Sequence, residues 1–251
     1  MPITTKCTLT VAIADLQHAI NAVVCHSEKS KPGDEQPMLC RVRVVAGKDH
    51  LVIAAHDSRT AGVAWVPILA DDRKAKWKPE DGPFIVDLYP KQARQIAAAM
   101  TPIRDEGSDY GDATLHLTLG DVTITDVSGK YPDTSTTVPT IEQEATMTLE
   151  GTDQLGYPNL LGLIGSAFTR AAGTYKPMQP PPGAGSRFEV AAREYSAKLL
   201  YEPVGDAGDR AWLVWLRGEP FAGLFLQAHE DDEDIRRRAS ERLAHMRRLG
   251  V

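Results

Sequence analysis

The feature that most constrains the fold is a series of short, alternating apolar and polar segments that only two helical segments interrupt. Between residues 8 and 138, apolar residues recur at every second position in several stretches, which is the period of a strand with one buried face. Two stretches, near Asp15 and at Pro90, instead carry apolar residues at helical spacing. The order β-α-β-β-β-β-α-β-β-β predicts an α+β domain of packed antiparallel sheets over residues 1–140.

The pattern starts again in a second part of the chain, residues 145–229, as a weak internal repeat. Thr146–Leu149 is similar to Thr8–Val11, and Phe188–Val190 is similar to Phe84–Val86. We predict that Phe188–Val190 is a strand and that a helix carrying Lys198 follows it. The offset between the matches falls from 138 residues (146 − 8) to 104 residues (188 − 84). Because this loss equals about three strands with their turns, we expect the second copy to be a shortened domain.

The third part, residues 230–251, combines an acidic run with a basic segment. Asp231–Asp234 precede six arginines, and acidic residues at the start of a helix with basic residues towards its end suit the helix macrodipole. We interpret this part as a charged C-terminal helix whose arginines lie in water rather than on DNA or an acidic partner. These arginines are Arg236, Arg237, Arg238, Arg242, Arg247 and Arg248.

Composition restricts the class of protein. With 251 residues, 42% of them hydrophobic, and a formal net charge of −6, the chain is typical of a globular protein and not of a general nucleic-acid coat. No apolar run approaches the ~20 residues of a membrane span, and no signal-peptide pattern is present. We therefore expect a cytoplasmic protein without membrane contact. Three cysteines predict no disulfide framework.

Motifs for catalysis and cofactor binding are missing from the sequence. It contains no glycine-rich phosphate loop and no serine nucleophile elbow. The cysteines and histidines near positions 25, 40 and 56 do not fall at zinc-ligand spacing, so we predict no metal and no cofactor. His56 and Asp57 form a pair that would suit a small metal-dependent hydrolase, which we keep as an alternative from another functional class.

Two motifs connect the first part with a known family. Ile53–Ile68 contains a strand, a polar turn and a second strand with a proline near its end, and Gly129–Asp133 reads Gly-Lys-Tyr-Pro-Asp before Val138-Pro139. In their order and spacing, with two helices and eight strands, these residues resemble one domain of a bacterial DNA sliding clamp, the ring-shaped processivity subunit of replicative DNA polymerase. His56 and Ser58 depart from the threonine and glycine usual in the turn.

The resemblance implies an α+β DNA-clamp fold of two clamp-like domains, each with two helices packed on antiparallel sheets. It implies a protein without enzymatic activity that encircles or tracks duplex DNA and tethers the replicative polymerase and the clamp loader through their short peptides. Clamps with two domains per chain close as trimers of six domains, so a homo-oligomer is expected, with a trimer favoured over a dimer. The shortened second domain supports an alternative: a monomeric or dimeric module that binds clamp-motif peptides without encircling DNA.

The resemblance implies two sets of site residues. In clamps the helices line the hole and the sheets face outward, so the first set is expected to face the DNA. The DNA-binding set, carried over by position, is His18, Asn21, Lys91, Arg94, Gln95, Arg170 and Lys198. The set for a hydrophobic peptide-binding pocket is Leu39, Ser58, Arg59, Ala61, Pro132 and Thr137, with the opposite wall near Leu224 or Leu226.

Overall fold

The structure, a computed structural model, describes most but not all of the chain. The described segments are residues 6–28, 37–57, 59–69, 83–99, 103–105, 108–128, 134–141, 159–171, 185–204 and 211–226. The predictions for Thr146–Leu149, for residues 230–251 and for the site residues Ser58 and Pro132 lie outside them.

The described residues form short strands and four helices. The strands are β1 (Lys6–Ala12), β2 (Val42–Ala46), β3 (His50–His56), β4 (Thr60–Pro67), β5 (Phe84–Leu88), β6 (Ile103–Asp105), β7 (Ser108–Tyr110), β8 (Asp112–Thr118), β9 (Asp121–Asp126), β10 (Ser135–Pro139), β11 (Leu199–Val204), β12 (Ala211–Leu216) and β13 (Phe221–Leu226). The helices are α1 (Ile13–Val24), α2 (Pro90–Ala99), α3 (Leu160–Ala171) and α4 (Gly185–Glu194), with a 3-10 turn at Pro37–Cys40. None of these helices is long and apolar enough to cross a membrane.

Eleven of these strands form two antiparallel sheets, and β6 and β7 pair separately as a hairpin. One has the order β1-β8-β9-β10, and the other has the order β11-β12-β13-β4-β3-β2-β5. The pairing of β13 with β4 joins the second part of the chain to the first, so the seven-stranded sheet is continuous across both parts. The hairpin of β6 and β7 was not predicted, because strands of three residues are too short to show an alternating pattern.

The main core lies between the two sheets and beneath α1 and α2. Leu16, Ile20 and Val23 of α1 are buried there, as are Ala93 and Ile96 of α2. These residues follow the i, i+3 and i+4 spacing of their helices, which confirms both helix predictions. Burial of these two apolar stripes leaves the polar side of α2 in solvent.

The two helices of the second part pack on opposite faces of the seven-stranded sheet. Phe188 and Ala191 of α4 belong to the main core, beside α1. Leu160 and Ile164 of α3 instead pack in a separate apolar cluster on the other face, against residues such as Val63. The helices α1, α2 and α4 therefore lie on one face, and α3 lies on the face that the clamp resemblance leaves open to solvent.

Two predictions for the second part are wrong. Phe188–Val190 is in helix α4 and not in a strand, and α4 ends at Glu194, so Lys198 lies in the turn before β11. The helix forms because Phe188 and Ala191, three residues apart, both enter the core on one side. A segment of three residues does not distinguish a strand period from a helical one.

Candidate functional site

The candidate site is the helical face formed by α1, α2 and α4. Lys91, Arg94 and Gln95 are exposed on α2, at the i, i+3 and i+4 spacing that places side chains on one side of a helix. Their outward direction follows from the burial of Ala93 and Ile96 on the opposite side. This row of polar side chains presents two fixed positive charges to solvent.

The start of α2 is fixed by local sequence. Pro90 occupies the first helical position, where its ring suits the backbone angle and its missing N–H costs nothing. The backbone N–H of Tyr89 donates a hydrogen bond of 2.8 Å to Oε1 of Gln92. Lys91 and Arg94 also line a groove of about 420 Å³ that opens between this helix start and the end of α1.

The polar side of α1 contacts α4. Nδ2 of Asn21 donates a hydrogen bond of 3.2 Å to Oε2 of Glu194, and Nδ1 of His18 lies 3.6 Å from the same oxygen. The His18 ring also lies beside the Tyr195 ring, at a centroid separation of 5.6 Å. These two predicted DNA-binding residues therefore connect α1 to α4 and are only half exposed.

The remaining members of the predicted DNA-binding set do not join this face. Arg170 lies in α3, on the opposite face of the seven-stranded sheet, and Lys198 is exposed in the turn after α4. Sequence reasoning missed Arg193, which is exposed in the last turn of α4, the helix that packs against α1. The signal that would have found it is the helical spacing of Phe188 and Ala191.

The predicted pocket set is only partly brought together. Ala61 of β4 pairs directly with Leu224 of β13. These two residues, expected on opposite walls of the pocket, are therefore neighbours in one sheet. Thr137, by contrast, lies on the four-stranded sheet, with its Oγ1 2.8 Å from Oγ1 of Thr123. Leu39 is buried at the 3-10 turn, and Arg59 is exposed in the turn before β4.

The turn before β4 is closed by Asp57. Its Oδ1 accepts hydrogen bonds from the backbone N–H groups of Arg59 and Thr60, at 2.7 and 2.6 Å. Its Oδ2 forms an ion pair with Arg187 of α4. This geometry makes Asp57 a residue that shapes a turn and attaches α4 to the first part. No group of three metal-ligating side chains occurs among the described residues.

A second contact attaches α4 to the first part and involves a pair of glycines. Gly62 of β4 and Gly223 of β13 lie directly opposite each other, and their missing side chains make room for two rings. His26 lies over Gly62, and Phe188 lies over Gly223, with ring centroids 4.7 Å apart. Burial, with a smaller effect of the nearby Arg187 charge, lowers the pKa of His26 to about 3.

Comparison with solved structures identifies the fold. A DNA polymerase sliding clamp from Bacillus subtilis matches with a TM-score of 0.54 and 13% identity over 89% of this chain and 64% of that one. A clamp from Pseudomonas aeruginosa matches with a TM-score of 0.56 and 11% identity over 92% of this chain and 69% of that one. No family model and no curated protein matches the sequence. The chain thus has the sliding-clamp fold, as its motifs predicted, and spans about two thirds of the length of these clamps.

Proposed function

We propose that this chain is a sliding-clamp-like processivity factor, without enzymatic activity, that encircles or tracks duplex DNA and tethers a replicative DNA polymerase and clamp-loader peptides. The observation that carries the proposal is the row of exposed Lys91, Arg94 and Gln95 on the helical face of a clamp fold. Such cations meet phosphates without reading base edges, which is what binding without sequence preference requires. The net charge of −6 limits adhesion of the rest of the surface to DNA.

Within this proposal the DNA-facing residues are those that share the helical face. Lys91, Arg94 and Gln95 supply the contacts from α2, and Arg193 supplies a further cation from α4. His18 and Asn21 lie between them and hold α1 against α4. Arg170 is left out, because α3 lies on the other face of the sheet.

The experiment is a measurement of affinity for several unrelated DNA duplexes by fluorescence anisotropy. We expect similar affinities for all sequences, and a loss of about tenfold or more when Lys91→Glu and Arg94→Glu are combined. The matched control combines Lys48→Glu and Arg217→Glu, which make the same change of charge in exposed turns between strands. Equal losses in both double variants would show that overall charge, and not the helical face, determines binding.

A second candidate function is a clamp-like module that binds clamp-motif peptides without encircling DNA. This candidate is favoured by the strands of the second part of the chain. The described ones, β11, β12 and β13, all belong to the sheet shared with the first part. Such a module needs no closed ring, so its solution mass separates it from the leading proposal.

A further inference from the structure

The helix α3 covers an apolar surface built from strands of both parts of the chain. It contributes three buried side chains, Leu160, Ile164 and Ala167, at i, i+4 and i+7. Beneath them lies a cluster that consists mostly of small or branched apolar residues. The strand residues of this cluster are Val52, Ala54, Ala61, Val63, Val204, Leu213 and Ala222. Small and branched side chains let a helix pack close to the strands, and Trp65 and Trp215 also pack against this cluster.

The sequence of α3 makes it a weak helix for this position. Gly162 and Gly165 lie in its interior, where glycine lowers helix stability. A Cβ atom at Gly165 would meet no neighbouring atom within 4 Å, so packing does not require glycine there. The helix is therefore held on the sheet by its three buried side chains more than by its own helix-forming tendency.

Helix α3 also has apolar side chains that it does not bury. Leu161, Leu163 and Phe168 remain 39, 50 and 42% exposed. Exposed apolar side chains in such a group are typical of an interaction surface. These three side chains flank the buried stripe, and the Phe168 ring contacts the Trp215 ring edge-on at a centroid separation of 6.4 Å. A helix attached mainly through one stripe, with half-exposed apolar residues beside it, belongs to the part of a protein that opens at low cost.

The covered surface includes residues of the predicted peptide pocket. Ala61 is buried within the cluster under α3, and Leu224, its partner across the β4–β13 pair, packs against the same cluster. We propose that α3 is a displaceable internal cover of this surface. The partner that replaces it is a short apolar peptide with the spacing of Leu160, Ile164 and Ala167. The inference rests on the proposed function only for the use of the surface as a peptide pocket.

An internal cover competes strongly with a free peptide. Because α3 belongs to the same chain, its effective concentration at the surface is on the order of millimolar. The affinity of an external peptide is then reduced by the fraction of molecules in which α3 has left the surface. A substitution that prevents α3 from docking should therefore increase peptide binding.

The test uses a labelled synthetic peptide of residues 158–172, which contains α3, and the full chain as receptor. Ile164→Glu places a charge in the covered cluster and prevents docking of α3, while the main core on the other face is left unchanged. We expect this variant to bind the peptide about tenfold more tightly than the unmodified chain, or better. The control, Ser166→Glu, adds the same charge on the exposed side of α3 and should bind like the unmodified chain.

Either of two results in this assay would overturn the proposal: equally tight binding by the unmodified chain, or a folded Ile164→Glu variant that does not bind the peptide. Amide hydrogen exchange supplies a test that requires no destabilising variant. We expect α3 in the unmodified chain to exchange about tenfold faster than α1, and Gly165→Ala to slow it. Exchange of α3 as slow as that of α1 would contradict a displaceable cover. Neither assay contains DNA or polymerase, so their failure is distinct from failure of the proposed function.

Discussion

His26 occupies a place that only a glycine in the neighbouring strand leaves open. A Cβ atom on Gly62 would overlap the His26 ring, and the ring packs between that strand and Phe188. Neither ring nitrogen has a hydrogen-bond partner among the described residues. The cost of burying an imidazole in this way is offset by its packing, but protonation of the ring in place would leave a charge without a partner.

We predict that His26 makes the protein sensitive to acid. The folded-state pKa of about 3 lies below the ordinary value of 6.5, so between these values the unfolded chain binds a proton that the folded chain does not. Stability therefore falls as the pH falls through this range, by up to about 1.4 kcal/mol per pH unit from this residue.

Urea unfolding at about pH 7 and about pH 4.5 measures this effect. The loss of stability between the two conditions should be smaller in His26→Leu than in the unmodified chain. His50→Leu, at an exposed position, should leave the loss unchanged. The same loss in all three proteins would show that carboxyl groups and not His26 determine the acid response.

The glycines offer a second test at the residue scale. Gly223→Ala would place a Cβ atom against the Phe188 ring and the Ala61 carbonyl oxygen, so we expect a loss of about 1–3 kcal/mol in the free energy of unfolding. Gly165→Ala adds the same methyl group where no other atom lies near. Because alanine favours a helix more than glycine does, we expect this change to raise the free energy of unfolding by about 0.5–1 kcal/mol. Urea unfolding measures both changes in the free energy of unfolding, and opposite signs for the two variants would support the packing explanation. A loss of stability in Gly165→Ala would contradict it.

Periodicity predicted the elements of the first part correctly where the apolar pattern is long. Helices α1 and α2 begin within two residues of Asp15 and Pro90, where the sequence predicted them, because their patterns extend over six residues or more. The pattern failed at α4, where three residues suited either period. It also gave no information on which face of the sheet a helix takes, so the position of α3, and hence of Arg170, was not predictable.

At the scale of elements, we predict that the ion pair of Arg187 with Asp57 holds α4 on the first part. Arg187→Met should cost about 1 kcal/mol in the free energy of unfolding, since the arginine is partly exposed and its charge is screened. Arg193→Met removes the same charge from an exposed position of the same helix and should cost under about 0.5 kcal/mol. Faster amide exchange in α4 should accompany only the first change; equal costs would contradict the assignment.

At the scale of the whole molecule, the two parts of the chain share one sheet and one core. Phe188, Val214 and Phe221 from the second part pack in the same cluster as α1 and α2. The position of one part relative to the other is therefore fixed by a packed junction, which includes the Gly62–Gly223 pair and the rings above it. A closed ring requires a fixed angle between successive parts. Identical copies close into a ring only if each one adds the same rotation about the ring axis.

The oligomeric state is the prediction that decides between the two candidate functions. A ring of six domains built from chains with two clamp-like domains contains three copies, so light scattering after size exclusion should give three times the mass of one chain at every concentration. A strand at the end of a sheet offers backbone groups for pairing, and among the described strands β10 and β11 lie at such ends, through which copies can join. A stable monomer over the whole concentration range would exclude ring closure by the protein alone and favour the peptide-binding module. A stable dimer would leave the ring incomplete and would contradict the trimer in the same way.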